Sequence, residues 1–241
     1  MTDVLVLCYH AISPTWPAAL STTQEAFARQ LRLLRRAGYT GATFSDAVGA
    51  GARGRTVAVT FDDAYRSVDT LARPVLDELG WPATVFAPTD HIGSGRPMAW
   101  DGIEQWLGGP HEPELLPLGW DDLRGLAAHG WEIGSHTCSH PRLTTIDDAA
   151  LKRELSASRE ALEHELAAPC PALAYPYGDV DVRVVEATSD AGYTSAAALP
   201  PRWHERRGLE EPRIGVWHGE PLWRFAVKCS RTVRRLREAR A

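Results

Sequence analysis

Short apolar runs alternate with amphipathic stretches along almost the whole of this chain, and that alternation is what most limits its fold. Val4–Cys8 is apolar throughout, as in a strand buried on both faces. Thr56–Phe61, Ala83–Ala87, Trp131–Ser135, Pro171–Tyr177 and Tyr193–Ala197 have the same character. Between them lie helical patterns. Phe27, Leu31, Leu33 and Leu34 mark a helix over about 23–37 that ends at Gly38. Val68–Leu79 stops at Gly80, Trp120–His129 at Gly130, and Val182–Ala191 at Gly192. Asp147–Leu166 is the longest helix, with Thr144, Thr145 or Asp147 as candidate caps.

A repeated strand–helix order predicts an α/β fold with a parallel sheet, open or closed. The 241 residues suit one such domain, expected over 1–220, with 221–241 as a basic C-terminal helix. The Gly- and Pro-rich stretch from Thr89 to Gly119 breaks the rhythm and reads as a loop over the strand ends.

A net charge of −5 argues against a general nucleic-acid binder, which carries a basic face. No stretch approaches the roughly 18 apolar residues that span a bilayer. Val4–Cys8 reads as a first strand and not as a secretory leader, so the expectation is a cytoplasmic protein. Cys8, Cys138, Cys170 and Cys229 are scattered without a CxxC pair and read as reduced, mostly buried thiols.

In parallel α/β folds active sites collect at the carboxyl ends of strands. Tyr9-His10, Asp62-Asp63, His136 with His140, and Tyr175-Pro176-Tyr177-Gly178 all fall there. A lone pair of aspartates is usually a turn or cap, and a lone HxxxH is usually a surface or core pair. Together at strand ends they have the composition of a metal site with a carboxylate left over. Asp63, His136 and His140 would hold a divalent ion with a position open for water. Asp62, adjacent but aimed differently, would take a proton from that water. Cys138, between the two histidines, points elsewhere in an extended segment or tight turn.

These segments resemble the polysaccharide deacetylase family, the NodB-homology group of carbohydrate esterases. The resemblance lies in Thr60-Phe61-Asp62-Asp63-Ala64-Tyr65, Ser135-His136-Thr137-Cys138-Ser139-His140-Pro141 and Ala174-Tyr175-Pro176-Tyr177-Gly178, with Pro82–Phe86 and Trp131–Gly134 as supporting text. It implies a distorted (β/α) barrel of seven parallel strands. It implies hydrolysis of acetyl groups on sugars, with Asp62 as general base and Zn²⁺, or Co²⁺ or Ni²⁺, on Asp63, His136 and His140. The backbone N–H of Tyr177 would meet the developing oxyanion. Tyr9, Tyr65, Trp100, Pro176 and Arg213 are the expected substrate-side residues.

The chain departs from the family pattern in three places. Ala174 stands where many members carry an arginine that orients the base, and Arg213 is the candidate replacement. No acid occurs in Ala191–Ala196, and no C-terminal LxxH supplies a general acid. Leu7-Cys8-Tyr9-His10 instead resembles the poly-N-acetylglucosamine deacetylase subgroup, which implies His10 as the acid.

The expected substrate is an N-acetylated amino sugar in a glycan, glycolipid or glycoconjugate intermediate. The rivals are deformylation of a lipid-linked aminosugar and a glycan-binding module without activity. Trp100, Trp120, Trp203 and Trp217 are candidates for stacking on a sugar, Trp100 foremost because it lies in the long loop. His218 is a further candidate for the cleft. The C-terminal segment interleaves Arg224, Lys228, Arg231, Arg234, Arg235, Arg237 and Arg240 with apolar residues, and suits peripheral contact with the inner face of a membrane.

Overall fold

A computed structural model describes residues 2–49, 52–200 and 208–238. Strand β1 (Asp3–Tyr9) leads into a short parallel pair, β2 (Ala11–Ile12) and β3 (Ser21–Thr22). Helix α1 (Gln24–Arg36), strand β4 (Thr40–Ala42), helix α2 (Phe44–Val48) and strand β5 (Arg55–Phe61) follow. After one π-helical turn come α3 (Arg73–Leu79) and β6 (Thr84–Ala87). The loop over 88–119 leads to α4 (Trp120–Ala128), β7 (Glu132–Ser135), α5 (Asp148–Leu166), β8 (Ala172–Ala174), α6 (Val182–Asp190) and β9 (Ser195–Ala198). The chain ends in β10 (Glu211–Pro212), β11 (Ile214–Gly215), α7 (Leu222–Cys229) and α8 (Arg231–Glu238).

The sheet order is β10-β9-β8-β7-β6-β5-β1-β11, and each described pairing is parallel. The two outermost strands are neighbours in sequence, separated only by Arg213. Glu211 and Pro212 pair with β9, whereas Ile214 and Gly215 pair with Leu7 and Cys8 of β1. One extended segment thus spans both edges and closes the sheet into a barrel. With that split strand counted once, the barrel has the seven staves expected. β4 is an extra: it occupies the lower part of the β5 edge, opposite Thr56–Ala58, and β6 takes over at Thr60 and Phe61.

The period-two alternation of each strand divides its side chains between two compartments. Leu5, Leu7, Val57, Val59, Phe61, Val85, Ile133 and Leu173 join the outer core under the helices. Val6, Ala58, Phe86, Ala172, Ala174 and Ala197 form a separate inner cluster, the barrel lumen. The lumen is narrow, hence its alanines and Gly134, where a Cβ would lie 2.6 Å from the Phe86 ring. Phe44 and Ala47 of α2 belong to the inner cluster and plug the lower end, where Phe44 meets Phe86 edge-on. Glu132 fixes that plug, accepting from Ser45 N–H (3.0 Å) and the Thr84 hydroxyl (2.9 Å).

Two expectations need correction, and two short elements have no counterpart among them. β8 covers only Ala172–Ala174 and not 171–177, because Pro176 opens a 3₁₀ turn and Tyr177 is left-handed. β4 and α2 are too short to leave a periodic signal in sequence. The C-terminal segment is two helices and not one, broken at extended Ser230. It is joined to the barrel: Arg234 is buried against Asp3 and donates to the Val4 carbonyl at 2.9 Å.

Candidate active site

The inward register of each strand continues past its end and delivers the polar residues to the barrel mouth. Asp62 N–H donates to the Tyr9 carbonyl (3.0 Å), so Asp62 keeps the inward phase of Ala58 and Thr60. The chain then turns through left-handed Asp63 (φ 68°) and Ala64 (φ 53°). That turn lets two adjacent aspartates point in different directions. His136 N–H donates to the Ala87 carbonyl (3.0 Å), extending the β6–β7 ladder by one residue. Thr137 (φ 67°) and His140 (φ 62°) curl the next segment back so that both imidazoles face Asp63.

The curl is held from behind by Glu154 of α5. Its carboxylate accepts from the N–H groups of Cys138 and Ser139 (both 2.9 Å) and from the Ser139 hydroxyl (2.7 Å). The Cys138 thiol faces the Glu154 carbonyl, away from the site, as its position in the turn implied. All four cysteines are free and buried.

Among the described residues six non-glycine positions have positive φ. Five of them, Asp63, Ala64, Thr137, His140 and Tyr177, belong to this site; Ala167 merely caps α5. Such backbone costs on the order of 1–3 kcal/mol per residue and persists where the surroundings over-determine it.

Asp63 Oδ1 lies 3.4 Å from His136 Nε2 and 3.3 Å from His140 Nε2. It is buried and makes no hydrogen bond. His136 donates Nδ1–H to the Ala174 carbonyl (2.8 Å), which turns the Nε2 lone pair toward Asp63. A buried carboxylate oxygen facing imidazole lone pairs is repulsive until a cation sits between them. The donor set therefore fits a divalent metal of the kind that accepts nitrogen and oxygen ligands. In the metal-free site a proton on His136 or His140 takes the cation's part: burial works against the charge on Asp63, but hydrogen bonding and charge from the protonated histidines hold the carboxyl well below its ordinary range.

Asp62 is held differently. Arg213 donates to both its oxygens, at 2.6 and 2.7 Å, and also to the Thr60 hydroxyl at 3.0 Å. The Cys8 thiol approaches Oδ2 at 3.4 Å. Burial raises the Asp62 pKa, but the guanidinium overcomes it and brings the carboxyl down to about 2. Arg213 is thus the partner of Asp62. Its closest bonds are to the Asp62 carboxylate and the Thr60 hydroxyl.

His10 follows β1 and lines the cleft, with its ring stacked on Trp217 at 6.1 Å and its Nδ1 buried without a partner. Burial lowers its pKa, partly opposed by Asp63 and Asp62. The cleft has a volume of about 410 Å³. Its lining includes Trp100, Asp101, Ile103, Arg142, Tyr177, Leu199, Leu20 and Trp217, with Arg142 paired to Asp101 at 3.1 Å.

Other expected site residues divide. Tyr177 lines the cleft, with Arg142 over its ring at 4.0 Å. Trp100 lines it too, but is only 9% exposed and lays one face on His140 at 4.1 Å. Tyr9 is misplaced by the sequence reading: it has the outward phase of Leu5 and Leu7, packs on Phe27, and donates to Gln30 at 2.9 Å. Tyr65 is fully buried against Trp16 outside the cleft lining. Pro176 is likewise buried and serves the turn before Tyr177. Trp120 and His218 are not among the lining residues, and Trp203 lies outside the described residues.

Sequence reasoning missed Arg142, Asp101, Leu20 and Leu199. Arg142 carried a usable signal, since it directly follows His140-Pro141. The others depend on how loops fold over the mouth.

A closed parallel barrel with this carboxylate–imidazole constellation at its mouth defines a class of barrel hydrolases. Comparison with known proteins narrows it. The sequence model of the polysaccharide deacetylase family matches residues 49–196, more than half of the chain. A chitooligosaccharide deacetylase of Rhizobium leguminosarum bv. trifolii is 28% identical over 167 residues, 67% of this chain and 65% of its own. BC0361, a polysaccharide deacetylase from Bacillus cereus, superposes with a TM-score of 0.75 at 25% identity, over 95% of this chain and 69% of its own. IcaB from Ammonifex degensii shares the fold (TM-score 0.71, 22% identity, 95% and 97% coverage). The chain belongs to the polysaccharide deacetylase family. It spans just under two thirds (64% and 65%) of the first curated relatives it matches.

Proposed function

We propose that this protein hydrolyses the N-acetyl group of an amino sugar, giving acetate and a free amine. The carrying observation is the juxtaposition at one barrel mouth of Asp62, fixed and ionised by Arg213, with the unpartnered Asp63 oxygen between His136 and His140. A divalent ion on Asp63, His136 and His140 supplies Lewis acidity, acidifying water and polarising a carbonyl.

The chain's own residues account for the proton traffic. Asp62 accepts a proton from the attacking water as the water oxygen bonds to the acetyl carbon. Arg213 keeps both carboxylate oxygens aimed and limits rotation of the base. The Tyr177 N–H, on a left-handed residue, serves the oxyanion that forms. The C–N bond breaks as His10 delivers a proton to the departing nitrogen. Trp100 and Trp217 screen the site from bulk water.

A cleft of about 410 Å³ has room for one or two sugar units, within the usual range for small-molecule sites. The relatives' substrates support the amino-sugar reading, since a chitooligosaccharide deacetylase is among them. The test is acetate release from N-acetylglucosamine oligomers by protein reconstituted with Zn²⁺, Co²⁺ or Ni²⁺, beside formate release from the N-formyl analogues. Acetate with wild type and none with Asp62→Asn is the expected result. Formate alone would replace deacetylation by deformylation. Neither product, with tight oligomer binding, would leave a glycan-binding module.

A further inference from the structure

Helix α7 is apolar on two sides. Phe225 and Cys229, one turn apart, face the core and are buried. On the opposite side Trp223 is 70% and Val227 48% exposed, also one turn apart, and Leu222 precedes them. Leu236 of α8 is 56% exposed. Among the described residues seven large apolar side chains are exposed, and four of them are on these two helices. A tryptophan lying open to water at this degree of exposure needs a reason.

Charge separates in the same place. Residues 222–238 carry six basic side chains and one acidic, in a chain whose net charge is −5. Arg234 is spent on Asp3, and Lys228 is held by Glu220 at 2.7 Å. Arg224, with a side chain 67% exposed, faces Glu220 at 3.7 Å, and Arg231 stands partly exposed at the start of α8. The exposed apolar strip is also rigidly mounted, because Arg234 ties α8 to the start of β1 through Asp3 and the Val4 carbonyl.

We infer that the outer face of α7 and α8 docks on an anionic lipid bilayer, with Trp223 and Val227 entering the headgroup boundary and Arg224 and Arg231 meeting lipid phosphates. Amphipathic helices bind in this way through apolar area plus attraction to anionic lipid. The docking does not depend on the deacetylase reading.

The experiment is co-sedimentation of the full chain with vesicles of phosphatidylcholine alone or with about one third phosphatidylglycerol, at low and high salt. Acetate release from a soluble chitooligosaccharide is measured on the same samples, so loss of docking and loss of activity are read separately. Wild type is expected to bind the anionic vesicles and to be released by salt. Trp223→Ser should weaken binding roughly tenfold or more, and Trp223→Phe should restore part of it. Arg224→Gln and Arg231→Gln should each cost about fivefold. Solution activity should not change in any of these variants. Failure of folded wild type to bind either vesicle overturns the inference. So does a concentration-dependent dimer that Trp223→Ser disperses without vesicle binding, because a second copy would then cover the face.

Discussion

Arg213 and Asp62 are 151 residues apart in sequence yet form a two-pronged ion pair, with N–O distances of 2.6 and 2.7 Å. The pair exists because the segment carrying β10 and β11 closes the barrel, and Arg213 is the residue at which it crosses from β9 to β1. Barrel closure and orientation of Asp62 are therefore one event. Arg213→Lys keeps the charge but loses the planar fork that matches a carboxylate. It should lower kcat/KM by roughly 10- to 100-fold with bound metal unchanged. Turnover equal to wild type would show that the pair is structural only.

The second prediction concerns the metal. After dialysis the wild-type protein should retain about one divalent ion per chain, and His136→Ala should lose it. Elemental analysis of both proteins is the measurement. Wild type that stays metal-free after reconstitution with Zn²⁺, Co²⁺ and Ni²⁺ would refute the site and leave the unpartnered Asp63 oxygen to a different cause.

His10→Gln tests the general acid. It should reduce kcat by about 10²- to 10⁴-fold while metal content holds. A drop in metal content together with activity would instead assign His10 to maintaining the site.

The His10 pKa is lowered by burial, so folding favours its neutral form. Between that lowered value and the unfolded value near 6.5 the unfolded chain binds more protons, so stability rises with pH through this interval. The metal-free protein should therefore have a lower Tm at pH 5 than at pH 7.5, and His10→Asn should flatten that slope. An unchanged slope in the variant would place the pH dependence elsewhere.

Gly178 sets the turn that presents Tyr177. Its φ is +68°, and a Cβ there would lie 2.8 Å from the Leu199 carbonyl oxygen. Gly178→Ala should destabilise the fold on the order of 1–3 kcal/mol, read as a lower Tm. Activity should fall further than the unfolded fraction accounts for, because the strained turn lines the cleft.

Much of the fold was legible in the sequence because fully buried strands and capped helices leave strong local signals. The expected boundaries of α1, α4, α5 and α6 fall within a residue or two of those observed. β4 and α2 were not legible, being shorter than the periods that would reveal them. Asp62, Asp63, His136 and His140 were legible because they sit at strand ends in short, dense motifs. Tyr9 was misread because adjacency to His10 says nothing about phase: neighbouring strand residues face opposite sides.

Local sequence by itself determined which strands and helices form, where they end, and which polar groups gather at the carboxyl ends. Those choices depend on propensity, capping and alternation within a dozen residues. Only the tertiary structure decided that the sheet closes through Arg213, that this arginine serves Asp62, that Trp100 covers His140, and that Arg234 fixes α8 to β1. Each of those is a contact between distant segments, set by which face of a strand or helix survives packing, and no local pattern encodes it.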